Sequence, residues 1–123
     1  MTEPTQEDDA LSGLRDALRA FAAERDWEQF HSPKNLAMAL AGEAGEVIEH
    51  FQWLTAEQSR SLDEEQRREV AAELEDVLLY LVRLADTLNV DLLSAAYDKM
   101  RVNARRYPVE KAKGRALKYD RLR

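Results

Sequence analysis

Two pairs of carboxylates with helical spacing are the residues in this sequence best suited to chemistry. Glu43 and Glu46 lie three positions apart, as do Glu73 and Asp76. Residues three apart share one face of an α-helix. Each pair therefore offers two carboxylates to one side of its helix. Oxygen ligands of this kind suit a hard cation such as Mg²⁺, which often shares its coordination shell with substrate phosphates.

The apolar periodicity puts these acids in or beside the buried stripes of their helices. Glu43 falls within the stripe that includes Leu36 and Val47, and Glu73 falls within the stripe of Val70 and Leu84. An isolated charge in a core is costly. Two such pairs on facing helices repel each other unless cations lie between them. The alternative is that these are bundle-edge acids paired with Arg or Lys.

Helical periodicity and capping residues predict four helices that position the acids. They run from about 7 to 26, from Ser32-Pro33 to beyond Phe51, from Asp63 to Asn89, and from Asp91 to about Tyr107. Residues 55–62 are polar and predict a connection with a short helical turn. No segment alternates as a half-buried strand does. The fold class is therefore all-α, a four-helix bundle followed by an irregular basic tail.

Length and composition limit the possible classes. With 123 residues, 45% of them hydrophobic and 34% charged, the chain reads as one domain over 1–123, with loose ends near 1–6 and 112–123. Cysteine is absent, which excludes disulfides and thiolate chemistry. Residues 1–98 carry 22 acidic and 8 basic side chains, whereas 99–123 carry 2 and 10. The acidic body argues against a duplex-DNA binder.

No targeting or membrane segment is evident in the sequence. The first residues are acidic and polar, unlike a signal or transit peptide, and no apolar run is long enough to span a bilayer. We therefore expect a cytoplasmic protein without a membrane partner. Phosphate-binding glycine loops are also absent. Gly42 and Gly45 lie inside a predicted helix, which favours close approach of another helix or a ligand there.

Several segments together resemble a known family. Residues 41–49 (AGEAGEVIE) followed by 73–76 (ELED) resemble the E-x-x-E…E-x-x-D signature of the MazG-like all-α nucleoside triphosphate pyrophosphohydrolases. The dCTP pyrophosphatase branch is the nearer match. The segments that carry this nearer resemblance are 21–31 (FAAERDWEQFH), 51–53 (FQW), 76–81 (DVLLYL) and 106–108 (RYP). The similarity covers about residues 11–120.

The resemblance implies an activity and a metal. Members of this family hydrolyse (deoxy)nucleoside triphosphates to the monophosphate and pyrophosphate, which cleans the nucleotide pool, and they require Mg²⁺. The resemblance makes Glu43, Glu46, Glu73 and Asp76 the ligands of two or more Mg²⁺ ions, for which Mn²⁺ can substitute. Glu46 or Glu49 could take a proton from the attacking water, so the catalytic candidates are Glu43, Glu46 and Glu49.

The resemblance also assigns residues to the nucleotide. It places around the nucleotide Trp27, Glu28, Gln29, Phe30, His31, Trp53 and Tyr80. Lys99, Asn103 and Arg106 follow at near-helical spacing and suit the β- and γ-phosphates, although a solvated basic face explains them equally well. Leu18 departs from the family pattern, because the dCTP enzyme has a histidine there. We therefore expect a pyrimidine preference with weakened selectivity for dCTP.

Two other functional classes compete with the enzyme. One is a non-catalytic acidic helical interaction module, and the other is a nucleic-acid-binding regulator that uses the basic tail. Internal carboxylates favour the enzyme, because a plain bundle gains nothing from acids in its stripe. The resemblance further implies a homo-oligomer, a dimer or a tetramer, and limited core in one chain makes shared helices reasonable.

Overall fold

The structure is a computed structural model that describes residues 9–123. Six α-helices and two 3₁₀ turns, with no strand, make up the described residues. The helices are α1 (Ala10–Glu24), α2 (Pro33–Phe51), α3 (Ala56–Ser59), α4 (Glu64–Thr87), α5 (Leu92–Arg106) and α6 (Val109–Ala112). The 3₁₀ turns are Glu28–Phe30 and Tyr119–Arg121. The all-α class is confirmed. The predicted loose end at 1–6 and the predicted start of the first helix at 7 lie outside the described residues.

Side-chain caps begin the long helices where the sequence predicted. Ser32 accepts a hydrogen bond from the Asn35 amide at the start of α2, and Asp91 accepts one from Ser94 at the start of α5. Asp63 forms a reciprocal capping box at the start of α4. These local bonds satisfy amides that have no partner within the helix, so the helix starts are encoded by single residues.

The packing is centred on α4. Helix α2 lies along α4, α1 packs on the same helix, and the contacts of α5 are much sparser. The buried apolar residues are accordingly few: Ala22, Leu36, Val70, Val82 and Ala85. The chain thus has the four predicted long helices, with an additional short helix within the predicted turn of 55–62. The four-helix bundle itself stays a prediction.

The outer surface of α2 is strongly apolar. Met38 and Ile48 are 64% and 62% exposed, and Trp53, just after the helix, is 86% exposed. No neighbouring helix within residues 9–123 makes the close approach expected at Gly42 and Gly45, since a Cβ at either position would meet nothing within 4 Å. One chain alone therefore leaves this surface open.

The C-terminal tail has more structure than the sequence predicted. The irregular tail expected over 109–123 includes α6 and the final 3₁₀ turn. Tyr119 packs edge-on against Tyr107, with ring centroids 6.1 Å apart, and the Arg106 guanidinium lies 4.7 Å from the Tyr119 ring centre. These aromatic contacts give the tail an attachment point that its irregular sequence does not reveal.

Candidate active site

The adjacency of α2 and α4 brings three carboxylates together. Glu43 projects from α2 and Glu73 and Asp76 project from α4. One carboxylate oxygen of each lies within 4.8 Å of those of the other two. Glu43 and Glu73 are half-buried and Asp76 is exposed. The cluster is therefore partly enclosed by the protein and partly accessible to a ligand from solution.

Burial and neighbouring acids raise the pKa values of Glu43 and Glu73. Burial is the main cause that raises the pKa of Glu43, followed by contact with the Glu46 carboxyl and the charges of Asp76 and Glu73. Contact with Glu46 is likewise the main cause that raises the pKa of Glu73, with burial second. Within the described chain, Glu43 Oε2 is buried and has no hydrogen-bond partner.

A divalent cation fits this donor set. Buried oxygen atoms are normally paired, so an unpaired Glu43 Oε2 among like charges indicates a missing positive partner. Carboxylate oxygens are the ligands that Mg²⁺ prefers. The Glu46 carboxyl contacts those of Glu43 and Glu73, which makes it a candidate fourth ligand, although Glu46, like Glu49, is exposed and outside the three-carboxylate cluster.

A pocket lies directly beside the acids and shares Asp76 with them. Its volume is about 170 Å³. It is lined by Leu18, Phe21, Ala22, Trp27, His31, Leu36, Asp76, Leu79, Tyr80 and Arg83. The lining is mainly aromatic and aliphatic, with a few polar groups, which is typical of a site for a small planar ligand.

Aromatic contacts fix the wall of this pocket. The rings of Trp27 and Phe21 meet edge to face with centroids 5.6 Å apart, and Trp27 and His31 do so at 6.4 Å. Such pairs favour defined ring orientations. Leu18 is also among the lining residues, so the position expected to depart from the family pattern borders the pocket.

Comparisons with known proteins agree with this geometry. The model of the MazG-like family matches residues 39–122. The chain belongs to the MazG-like family. It is 47% identical to dCTP pyrophosphatase 1 of Bos taurus and of Homo sapiens. Each alignment covers 98% of this chain, with 70% of the bovine and 69% of the human protein.

A solved structure also resembles this MazG-like chain. A pyrophosphatase from Archaeoglobus fulgidus is 34% identical, with a TM-score of 0.76, and the match covers 88% of this chain and 98% of that one. The resemblance deduced from the sequence segments is therefore confirmed, both for the MazG-like family and for its dCTP pyrophosphatase branch.

The structure of this MazG-like protein brings together only part of the predicted nucleotide site. Trp27, His31 and Tyr80 line the pocket with Asp76. The remaining predicted contacts are exposed and are not among its lining residues: Glu28, Gln29, Phe30, Trp53, Lys99, Asn103 and Arg106. Gln29 instead donates to Asp26, and Arg106 stacks on Tyr119. Their roles at the nucleotide stay predictions.

Sequence reasoning missed several groups near the site. No sequence pattern assigns a role to His50, yet its Nε2 lies 3.6 Å from a Glu73 oxygen, and this contact lowers the pKa of Glu73 against the stronger raising effects. Arg83 is likewise absent from the predicted site, whereas it lines the pocket and contacts His31 and Asp86. Asp86 lies three residues after Arg83 on the same helix, so that pair has a local signal, whereas His31 is 52 residues away and its contact with Arg83 has none.

Proposed function

We propose that this MazG-like protein hydrolyses deoxynucleoside triphosphates, with dCTP or a related pyrimidine nucleotide as substrate, to the monophosphate and pyrophosphate. Relatives named dCTP pyrophosphatase 1 match 98% of the chain. The observation that carries the proposal is Asp76, which belongs both to the carboxylate cluster and to the aromatic pocket. A nucleotide whose base enters the pocket would thus extend its phosphates towards the acids.

We propose Glu43, Glu46, Glu73 and Asp76 as the residues that hold Mg²⁺, two ions or more, with Mn²⁺ as a substitute. When bound, such ions neutralise phosphate charge and lower the pKa of a coordinated water. The protein contributes a fixed arrangement of carboxylates in a partly enclosed cleft. Glu46 contacts two of the other ligands and Glu49 is exposed one turn away, so either can take the proton of the attacking water.

The pocket walls suggest how the base is held. Trp27 and Tyr80 offer aromatic faces to a planar ring, while His31 and Arg83 are further hydrogen-bonding side chains in the lining. Stacking binds any base, whereas hydrogen bonds to its edge discriminate among bases. Leucine at position 18 removes one such bonding group relative to the dCTP enzymes.

We propose further that the protein acts as a homo-oligomer, a dimer or a tetramer. The exposed apolar side chains of α2 and the sparse packing of α5 support association. Trp53 and the α5 side chains Lys99 and Asn103 lie outside the pocket of their own chain, so an assembled protein is the natural place for them to act. Light scattering should give a mass above one chain. A strictly monomeric active enzyme would contradict this assignment.

A substrate panel tests the proposed function directly. Pyrophosphate release should be measured with the four standard deoxynucleoside triphosphates and dUTP, each with and without Mg²⁺. We expect pyrimidine substrates to have the highest kcat/KM and the metal to be essential. Release of orthophosphate alone, or no turnover of any triphosphate, would instead favour the non-catalytic module. Salt-dependent binding of duplex DNA would favour the nucleic-acid regulator.

Position 18 offers a test of the base preference. Leu18→His should raise the preference for dCTP over dTTP and dUTP, by up to ~1–3 kcal/mol, if the new side chain makes one good hydrogen bond to the base. Leu18→Met keeps an apolar side chain of similar size and serves as the matched control. Strong dCTP selectivity in the unmodified protein, unchanged by Leu18→His, would show that other groups read the base edge.

A further inference from the structure

A chain of four charged or polar side chains runs from the surface of α1 to the wall of the pocket. Arg19 of α1 donates two hydrogen bonds to Asp86 of α4, from Nε to Oδ2 at 2.7 Å and from Nη2 to Oδ1 at 2.5 Å. Arg83 Nη1 lies 3.4 Å from Asp86 Oδ2, and Arg83 Nε donates to His31 Nδ1 at 3.1 Å. Of these four side chains, only Arg83 and His31 line the pocket.

Asp86 is the centre of this network. Its side chain is 8% exposed and that of Arg83 is 11% exposed, whereas the Arg19 side chain is 52% exposed. Hydrogen bonds from Arg19 hold the pKa of Asp86 below its usual range, although burial opposes them, and Arg83 and Arg15 add smaller effects in the same direction. A carboxylate of this kind orients its arginine partners because the guanidinium group is a rigid planar fork.

The arginine in turn determines which nitrogen of His31 carries the proton. A guanidinium Nε is always a donor, so His31 Nδ1 must be the acceptor in their hydrogen bond. The neutral ring then has its proton on Nε2. Burial and the charge of Arg83 lower the pKa of His31, although Glu28 opposes them, and this favours the same neutral form. His31 Nε2–H is therefore a donor on the side of the ring that faces away from Arg83 Nε.

We propose that Asp86 is a positioning residue that acts through Arg83 to hold His31 as an Nε2–H donor to a carbonyl oxygen of the pyrimidine base. The inference deepens, and rests on, the proposed function. Most of the other lining residues are apolar or aromatic, among them Leu18, Phe21 and Trp27. A ring locked in one tautomer thus supplies a bond to the base edge that stacking alone cannot supply.

The first test requires neither substrate nor metal. The chain has two histidines, so the ¹⁵N side-chain signals of His31 can be assigned by their loss in His31→Gln. We expect the wild-type ring to be in the Nε2–H form and Asp86→Asn to convert it to a mixture of tautomers. Asp98→Asn, at an exposed aspartate paired with Arg101 on α5, is the matched control and should leave the His31 signals unchanged.

A second variant guards against misfolding of Asp86→Asn. Arg83→Lys keeps a positive charge beside Asp86 but lacks the fork that bridges both neighbours. It should also release the His31 tautomer. An Nδ1–H ring in the wild type, or an unchanged tautomer in folded Asp86→Asn or Arg83→Lys protein, would overturn the proposal whatever the enzyme activity is.

The second test measures kinetics of dCTP hydrolysis at saturating Mg²⁺. Loss of one hydrogen bond should let Asp86→Asn raise KM about tenfold, with a much smaller change in kcat. When His31→Gln is already present, Asp86→Asn should not change KM further, because the side chain through which Asp86 acts on the substrate is absent. Additive effects, or a fall in kcat at constant KM, would mean that Asp86 acts only on the fold.

The two tests separate the inference from the function on which it rests. If no triphosphate is hydrolysed while the tautomer responds to Asp86→Asn, the proposed function fails and the Asp86–Arg83–His31 coupling stands without its substrate. If dCTP is hydrolysed and the tautomer does not respond, the positioning role fails and the proposed function is unaffected.

Discussion

Two aspartates on α4 have opposite electrostatic surroundings. Asp76 and Asp86 are ten residues apart, which is about 15 Å along a helix. Asp76 faces Glu43 and Glu73, in a cluster where each acid disfavours the charge of its neighbours. Asp86 faces two arginines that favour its charge. Asp76 and Arg83 both line the pocket from α4, and Arg83 in turn contacts Asp86.

The comparison shows that neighbours, not residue type, decide what an acid does. The arginines supplied by the protein neutralise Asp86, so this region is complete without a ligand. In the cluster at Asp76, the contact of His50 with Glu73 does not offset the effects that raise the pKa of Glu73, and Glu43 Oε2 has no partner within the described residues, so a positive partner from solution fits there. The acids therefore fit a functional role at one end of the pocket and a structural and orienting role at the other.

The largest expected effect is a loss of turnover when the acid cluster at Asp76 is altered. Glu43→Gln or Asp76→Asn should lower kcat by at least about a hundredfold, because each removes a proposed metal ligand. Glu75→Gln is a matched control, since Glu75 lies on the same helix but is exposed and outside the cluster. Steady-state pyrophosphate release checks this. Turnover that persists in both variants would make the acids structural.

The second effect is the response of stability to Mg²⁺. Thermal melting of the wild type should shift upwards with Mg²⁺ concentration, by the equivalent of roughly 2.7 kcal/mol at a hundred times Kd. Asp86→Asn should melt earlier but respond to the metal as the wild type does. Glu43→Gln should lose the response. Equal shifts in Glu43→Gln and the wild type would show that Mg²⁺ binds elsewhere.

The third effect concerns stability without metal, which Asp86→Asn and Glu43→Gln should change in opposite directions. Asp86→Asn should lower the free energy of unfolding by ~1–3 kcal/mol, because it leaves two arginines without their shared charged partner. Glu43→Gln should keep or raise it, since repulsion within the cluster is relieved. Urea denaturation in EDTA measures both, with Asp98→Asn as the control. Stabilisation by Asp86→Asn would contradict the assignment of Asp86 as a favourable partner.

The smallest effect is the pH dependence of stability in EDTA. The lowered pKa of Asp86 gives stability that is present above its unfolded pKa and is lost as pH falls through the folded pKa. The raised pKa values of Glu43 and Glu73 act oppositely, and stability is lost as pH rises from the ordinary glutamate range through the folded values. Asp86→Asn should flatten the fall in stability at acid pH, the acid limb of the curve. Glu43→Gln should flatten the fall in stability as pH rises through the glutamate range. Unfolding curves across pH check both slopes, and an unchanged acid limb in Asp86→Asn would sink the first assignment.

The local parts of the fold were predictable because their causes are local. A capping side chain such as Ser32 or Asp91 bonds an amide three residues later, so both partners are visible in the sequence. The left-handed residue Asn89, with φ of 55°, ends α4 where the apolar period stops. The apolar period placed Glu43 and Glu73 in the stripes of their own helices, and the packing of α2 on α4 then brought them to face each other.

The sequence by itself thus determined the helices and the starts of α2, α4 and α5, it predicted the acids of the site, and the family resemblance added the nucleotide chemistry. Tertiary structure decided which distant groups meet. Arg83 and His31 are 52 residues apart and Arg19 and Asp86 are 67 apart. No periodicity encodes such a pair, because its distance depends on how α1 and the start of α2 pack against α4. The same packing decides which acids receive an arginine and which are left to bind a cation.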